Sequence, residues 1–251
     1  MADVWYLIIG NPVLNVLIAL SHILSGSFGL AIIALTVIIR LISWPLSKRQ
    51  LNSTKALQEM QPKIQELQKK YGKNQQKLQQ EMMKLYKEAG VNPLGCLWPM
   101  LIQFPIWIAL YQAIMRALAT TPENLLDLAH RLYSWDIVTQ AIPLSSQFLW
   151  LDLGRPDPYW ILAIIVGGTM WVQQKMTQAP AIDPGQQSTS RMMLLMMPLL
   201  FGFLTLMFPS GLALYWAVSN IIGIITQYFF TGGWGYLKFR SPFKSTPVKG
   251  K

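Results

Sequence analysis

FGLAIIALTVIIRLISWPL, residues 28–46, is a run of nineteen residues that carries a single charge, Arg40. As a helix rising 1.5 Å per residue it is about 29 Å long, close to the roughly 30 Å hydrocarbon core of a bilayer. Similar apolar stretches recur at about 95–118, 158–176, 191–208 and 211–230. The chain as a whole has 251 residues, of which 52% are hydrophobic and only 13% charged. A soluble domain normally carries about 25% charged residues, so lipid must form part of the solvent. The expected fold is an all-α integral membrane protein built on a bundle of five transmembrane helices.

The charges between the spans orient the chain. Lys48 to Gly90 contains ten basic residues against four acids, and Lys175, Arg191, Lys238, Arg240, Lys244, Lys249 and Lys251 fall on the same side if the spans alternate. The opposite side receives Arg116, Arg131 and Arg155. Because Lys and Arg near span ends accumulate in the cytoplasm, the expected topology is N-terminus outside and C-terminus inside a bacterial plasma (inner) membrane. Residues 1–26 then form an N-terminal segment, 27–47 the first span, 48–91 a cytoplasmic loop and 92–119 the second span. An extracytoplasmic loop at 120–157 leads to the third span at 158–177. A short inner loop at 178–190, the fourth span at 191–208, the fifth at 211–230 and a basic tail at 231–251 complete the chain. Residues 11–25 are read as an amphipathic helix in the outer interface, with Asn11, Asn15 and His22 on one face; the alternative, that Val4 to Leu24 is itself a span and the N-terminus is cytoplasmic, stays open. No signal or transit peptide is expected, since no charged n-region precedes an apolar run with a small-residue cleavage site.

The cytoplasmic loop has its own order. Leu57, Met60, Ile64, Leu67 and Tyr71 recur at helical spacing, as do Leu78, Met82, Leu85 and Ala89. Pro62 can open the first helix, Gly72 stop it, Asn74 cap the second and Gly90 end it. Glu66 with Lys70 and Lys84 with Glu88 offer i,i+4 pairs. A basic helical hairpin results, either a solvated spacer or an arm that docks a partner.

Arg40 dominates the search for function. An Arg well inside a span costs about 2.5 kcal/mol or more unless it faces protein or water, or snorkels to the interface. Thr36, Arg40, Ser43 and Ser47 are spaced by four, three and four, which makes one polar stripe. Gln103, Thr169, Gln173, Asn220 and Gln227 add polar groups to other spans, with Trp216, Asn220, Gly223 and Gln227 sharing a face. Together they would build a wet groove on the cytoplasmic half, although any one alone is more often helix–helix glue. All eleven acids lie in expected loops or termini, so the charge of Arg40 remains available to something negative. Met192, Met193, Met196, Met197 and Met207 make the neighbouring surface adaptable. No nucleotide-binding, metal-protease or Ser/His/Asp pattern occurs, and Thr231-Gly-Gly-Trp-Gly235 lacks the context of a phosphate loop. The single Cys96 and the distant His22 and His130 offer neither a disulfide framework nor a metal site. Neither an enzyme, a cofactor nor a DNA partner is expected.

Ordered motifs resemble the YidC family of membrane protein insertases. They run from Ile38-Ile-Arg-Leu41 and Pro45-Leu46 through Leu78-Gln-Gln-Glu-Met-Met-Lys-Leu-Tyr86, Asn92-Pro-Leu-Gly95, Pro99 and Gln103-Phe-Pro105. Phe148-Leu-Trp-Leu-Asp-Leu153, Pro156-Asp-Pro-Tyr159, Gln173-Gln-Lys-Met176, Met197-Pro198, Phe208-Pro-Ser-Gly-Leu212, Leu214-Tyr-Trp216 and Ser219-Asn220 follow in order. The resemblance implies a short form lacking a large periplasmic domain, with a hydrophilic groove open to cytoplasm and lipid but closed outside. In that groove Arg40 would hold an acidic or polar substrate segment, and Thr36, Gln103, Tyr215 and Trp216 match further groove positions. The partners implied are nascent membrane proteins, the lipid bilayer, the ribosome through hairpin and tail, and the Sec translocon. Two rival readings stay open at this point: a small-molecule transporter, which would normally show internal repeats, and a passive ribosome-anchoring assembly factor, which would not need Arg40.

Overall fold

A computed structural model describes residues 5–72, 74–88, 90, 98–118, 128–139, 144–177, 184–231 and 233–234. The Asn92–Gly95 motif, Cys96 and the basic tail from 235 onward lie outside these residues. The described residues are mostly helical. After a π-helical turn at Tyr6–Gly10 come α1 (Asn11–Ile23), α2 (Phe28–Ile42), α3 (Trp44–Glu59), α4 (Gln61–Tyr71), α5 (Gln75–Glu88) and α6 (Trp98–Ala117). A short α7 (Asp136–Thr139) and the hairpin β1 (Gln147–Phe148) and β2 (Leu151–Asp152) precede α8 (Ile161–Thr177), α9 (Pro184–Thr205) and α10 (Ser210–Thr231).

By length and composition, Tyr6–Ile23 and Ser210–Phe230 can each cross a membrane, and Phe28–Ile42 with Trp44–Ser53 would make a third, broken span bent by 61°. The break falls within the 27–47 segment expected to form the first span. Ser43 ends α2, and Pro45, with no N–H to give, starts a second helix that continues to Glu59.

α10 is the central element, contacting α2, α6, α8, α9 and the loop around β2. Its first two turns, Ser210 to Ala217, are buried on every side, as expected of a helix that is apolar all round. Side chains on α8, α9 and the far half of α10 instead point outward: Ile164, Leu199 and Phe229 are 75%, 71% and 78% exposed. So large an exposed apolar surface marks contact with a membrane or a partner protein. α8 and α9 approach closely at two glycines. A Cβ at Gly167 would stand 3.2 Å from the Pro198 carbonyl oxygen, and one at Gly202 3.3 Å from that of Ala163. Small residues at a helix crossing allow this approach where lipid gives no hydrophobic drive for association.

The loop at 144–157 closes one end of the bundle. Helix α10 starts beneath it, and its leading N–H groups would have no intrahelical acceptor. Ser210 N–H donates to the Arg155 carbonyl at 2.7 Å and Gly211 N–H to that of Leu153 at 3.1 Å. The Ser210 hydroxyl donates to the Asp152 carbonyl at 2.7 Å. Asp157 accepts from Tyr159 N–H and Leu162 N–H at 3.1 and 2.8 Å, capping α8. Leu151 and Leu153 are buried under this cover, and the Phe148 ring occupies the space a Cβ at Gly29 would need.

The N-terminal segment packs into the same end. Asn15 is fully buried: its amide donates to the Asn11 and Arg131 carbonyls at 2.8 and 2.9 Å and accepts Tyr133 N–H at 2.7 Å. His22 is exposed, so Asn11, Asn15 and His22 do not form the single wet face that their spacing suggested. The reason is that protein backbone, rather than water, satisfies Asn15. Two guanidinium groups approach the Tyr6 ring, Arg116 at 4.6 Å and Arg131 at 4.2 Å from its centroid, and the Tyr6 hydroxyl accepts from Arg116 at 3.0 Å.

At the other end, α4 and α5 form a hairpin with a small core of Met60 and Ile64 against Ala56, Met82, Leu85 and Tyr86. Pro62 lies in the first turn of α4, and the Asn74 side chain accepts Lys77 N–H at 3.1 Å before α5. Lys84 pairs with Glu81 at 2.7 Å, in place of the Glu88 partner its spacing offered.

Candidate functional site

Arg40 projects from the last turn of α2 onto α10. Its Nε and Nη2 donate to the Ser219 hydroxyl oxygen at 3.1 and 2.7 Å, and Nη2 donates to the Ser219 carbonyl at 2.6 Å. Hydrogen bonds of a charged donor contribute about 1.5–3 kcal/mol each, so this tether offsets much of the cost of placing a guanidinium among apolar helices. Its acceptors are neutral. Among the described residues no carboxylate forms an ion pair with Arg40.

The network continues across the bundle. Gln103 on α6 donates to the Tyr215 hydroxyl, and Tyr215 precedes Ser219 by one turn on the same helix. Three helices, α6, α10 and α2, are thus joined by one polar chain. On the hairpin side of Arg40 lies a small polar cavity of about 70 Å³. Arg40 and Gln50, Gln173 and Thr177, and Thr226 and Gln227 line it from α2 and α3, α8 and α10 respectively. A water occupies about 30 Å³ of liquid, so the cavity is wide enough and polar enough for more than one.

The candidate residues divide accordingly. Arg40, Gln103, Gln173 and Tyr215 share this connected site. Ser43 sits at the break between α2 and α3, where its carbonyl accepts the Ser47 hydroxyl at 3.1 Å. Thr36 is buried and donates to the Ile32 carbonyl of its own helix at 2.6 Å. Asn220 turns toward α8, donating to Thr169 Oγ1 at 3.3 Å. Trp216 turns the other way, into edge-on contacts with Trp107, Phe201 and Phe208 at 5.2–6.0 Å. Its buried indole N–H has no hydrogen-bond partner among the described residues. The face shared by Trp216, Asn220, Gly223 and Gln227 is therefore divided: Trp216 meets the aromatic rings, Asn220 meets α8, and Gly223 and Gln227 line the small cavity beside Arg40.

Sequence reasoning missed Ser219, Gln50 and Thr226. Ser219 could have been found from its spacing, one helical turn after Tyr215 and level with Arg40, but a serine in a span is commonplace. Ser219 supplies Arg40 with neutral hydrogen-bond acceptors that leave its charge in place, a partner that the scan for acids did not address.

A helical protein with several apolar segments, a lipid-like exterior and a charged polar cluster held between its helices belongs to the class of multi-pass membrane proteins. Residues 19–234 match the family profile described as "60Kd inner membrane protein", and the chain belongs to that family. It is 38% identical over 225 residues to a protein of Nitratidesulfovibrio vulgaris (strain DSM 19637 / Miyazaki F) named membrane protein insertase YidC, covering 90% of this chain and 38% of that one. A protein of the same name from Tolumonas auensis (strain DSM 9187 / NBRC 110442 / TA 4) is 41% identical over 224 residues, covering 89% of this chain and 36% of its own length. The chain therefore spans a little over a third of these relatives. Among solved structures, an active YidC insertase with its first transmembrane domain resolved superimposes with a TM-score of 0.57 at 31% identity, over 82% of this chain and 42% of that one.

Proposed function

We propose that this chain is a membrane protein insertase and chaperone. It receives nascent membrane proteins in a hydrophilic groove around Arg40 that is open to cytoplasm and lipid, helps short polar segments across and releases the transmembrane segment into the bilayer. The observation that carries this reading is a guanidinium held by neutral oxygens of Ser219, with no carboxylate paired to it among the described residues. A cation fixed in place but not neutralised can attract a substrate carboxylate at an effective dielectric where a pair at about 4 Å gains around 4 kcal/mol before desolvation. That recruits a segment without trapping it. The names of the relatives and of the similar structure support the same reading.

In this proposal the chain has five spans, with its N-terminus outside and its C-terminus cytoplasmic. Residues 11–25 lie against the outer face, and the 144–157 loop closes that end of the groove. Hairpin and tail receive substrate or contact the ribosome, and the insertase also works beside the Sec translocon. No cofactor or catalytic step is required.

Insertion of a short membrane protein with an acidic translocated tail, followed by protease protection in liposomes, tests it. Arg40→Glu should be worst, Arg40→Ala should fall at least tenfold, and Arg40→Lys should retain part of the activity, since it keeps the charge but loses the double contact with Ser219. Neutralising the acids of the tail should reduce the dependence on Arg40. Equal insertion by all variants at matched expression sinks the groove mechanism.

A further inference from the structure

A second cavity, of about 360 Å³, flanks Arg40 on the side opposite the polar one. Val37, Leu41, Trp44 and Ile222 make its walls, and its lining is mostly apolar. Arg40, Ser47 and Thr226 line both cavities. These three residues form a polar threshold between an apolar chamber at the α2–α3 bend and the small polar cavity within the bundle. Leu41 and Trp44 are exposed there, so the chamber opens at the surface between α2 and α10.

We propose that this chamber holds an anionic phospholipid, with its phosphate at the Arg40 guanidinium and part of one acyl chain along Val37, Leu41, Trp44 and Ile222. Three observations select that occupant. The volume lies at the lower end of ligand pockets, roughly 300–1,000 Å³, and a mostly apolar wall with a few converging polar groups suits an amphiphile. Ser219 occupies Nε and Nη2 of Arg40, whereas Nη1 donates to no described residue and retains two N–H groups for a phosphate oxygen. The next turn of α3 adds exposed Lys48 and Arg49, and basic sites between membrane helices select anionic head groups. The head group would keep Arg40 satisfied between substrates and yield to an incoming carboxylate, so the proposal deepens the groove reading and rests on it for that consequence.

The binding itself is tested without any substrate. Full-length protein in detergent is equilibrated with equal amounts of phosphatidylglycerol and phosphatidylcholine of identical chains, and retained lipid is counted by native mass spectrometry. Wild type should retain the anionic lipid at least fivefold over the zwitterionic one. Ile222→Trp, which fills the chamber and leaves Arg40 in place, should abolish that preference. Val37→Phe should do the same and serves if the first variant does not fold, as judged by gel filtration and thermal unfolding. Equal retention of the two lipids by wild type, or an unchanged preference in a folded chamber-filling variant, overturns the proposal. So does displacement of the lipid by millimolar glycerol phosphate, which would show a charge site that has no use for the apolar wall. Selective lipid retention in a protein that fails to insert substrate would sink the insertase reading and leave the lipid site standing; the converse result would do the opposite.

Discussion

Asn15 shows how a single buried amide can fix a segment whose apolar sequence would fit several positions. It supplies two donors and one acceptor to backbone groups of α1 and of the loop at 131–133. Asn15→Ala strands the Tyr133 N–H and the Arg131 carbonyl in a buried setting, where each unsatisfied group costs about 1–3 kcal/mol. Thermal unfolding in detergent should drop by several degrees. Asn15→Asp keeps the acceptor for Tyr133 but loses both donors and buries a charge, and should be the more damaging substitution. An unchanged unfolding temperature for both would show that this end of the bundle does not depend on the contact. Ser219 carries a milder expectation. Ser219→Ala removes the hydroxyl acceptor of Arg40 and leaves the carbonyl, so insertion should fall severalfold, less than for Arg40→Ala, in the liposome assay.

Among the elements, the hairpin stands apart from the bundle. Its buried core is little more than Met60 and Ile64, with partial cover from Met82, Leu85 and Tyr86. Truncating a buried Ile to Ala costs about 2–5 kcal/mol, a large share of what so small a cluster can supply. Ile64→Ala should therefore accelerate tryptic cleavage at the hairpin lysines tenfold or more while the bundle unfolds at its usual temperature. Concerted loss of both would mean that hairpin and bundle fold as one unit. The Lys84 ammonium, bonded to Glu81, holds that carboxyl below its usual range. A depressed acid contributes stability at pH values above its unfolded value of about 4.3 and loses it as pH falls through the lowered one. Both side chains are solvent-accessible and the pair is screened by salt, so acidification should change cleavage far less than Ile64→Ala does.

At the scale of the whole molecule, the closed 144–157 end and the hairpin end must face opposite compartments for the proposed groove to work. Single cysteines at Tyr159 and Gln65, both exposed, can be placed in a Cys96→Ser background and labelled with an impermeant thiol reagent in sealed cells. Labelling at Tyr159 with protection at Gln65 is expected from the seventeen-to-three distribution of basic residues. The reverse pattern would invert the protein and place the groove on the wrong side. Deleting Lys238 to Lys251 should weaken ribosome co-sedimentation at low salt, because an electrostatic contact extends only about a Debye length.

Apolar run length and charge scarcity alone indicate a helical membrane protein, since hydrophobic content and the number of residues needed to span a bilayer are local properties of a chain. Arg40 was legible for the same reason: a lone charge in residues 28–46 is conspicuous wherever its helix ends up. Ordered motifs carried the family, whose profile covers residues 19–234. Partner choice was not legible. Ser219 rather than an acid holds Arg40, Asn220 faces α8 while Trp216 faces an aromatic cluster, and Asn15 is satisfied by a loop more than a hundred residues away. Helical periodicity says which residues share a face, but not which neighbour that face meets. α10 meets α2, α6, α8 and α9 on different sides, so residues that share one of its faces end in different environments. The bend at Ser43 likewise follows from a local signal, Pro45, but its consequence is tertiary: it opens the apolar chamber beside Arg40, which exists only because α2, α3 and α10 meet there.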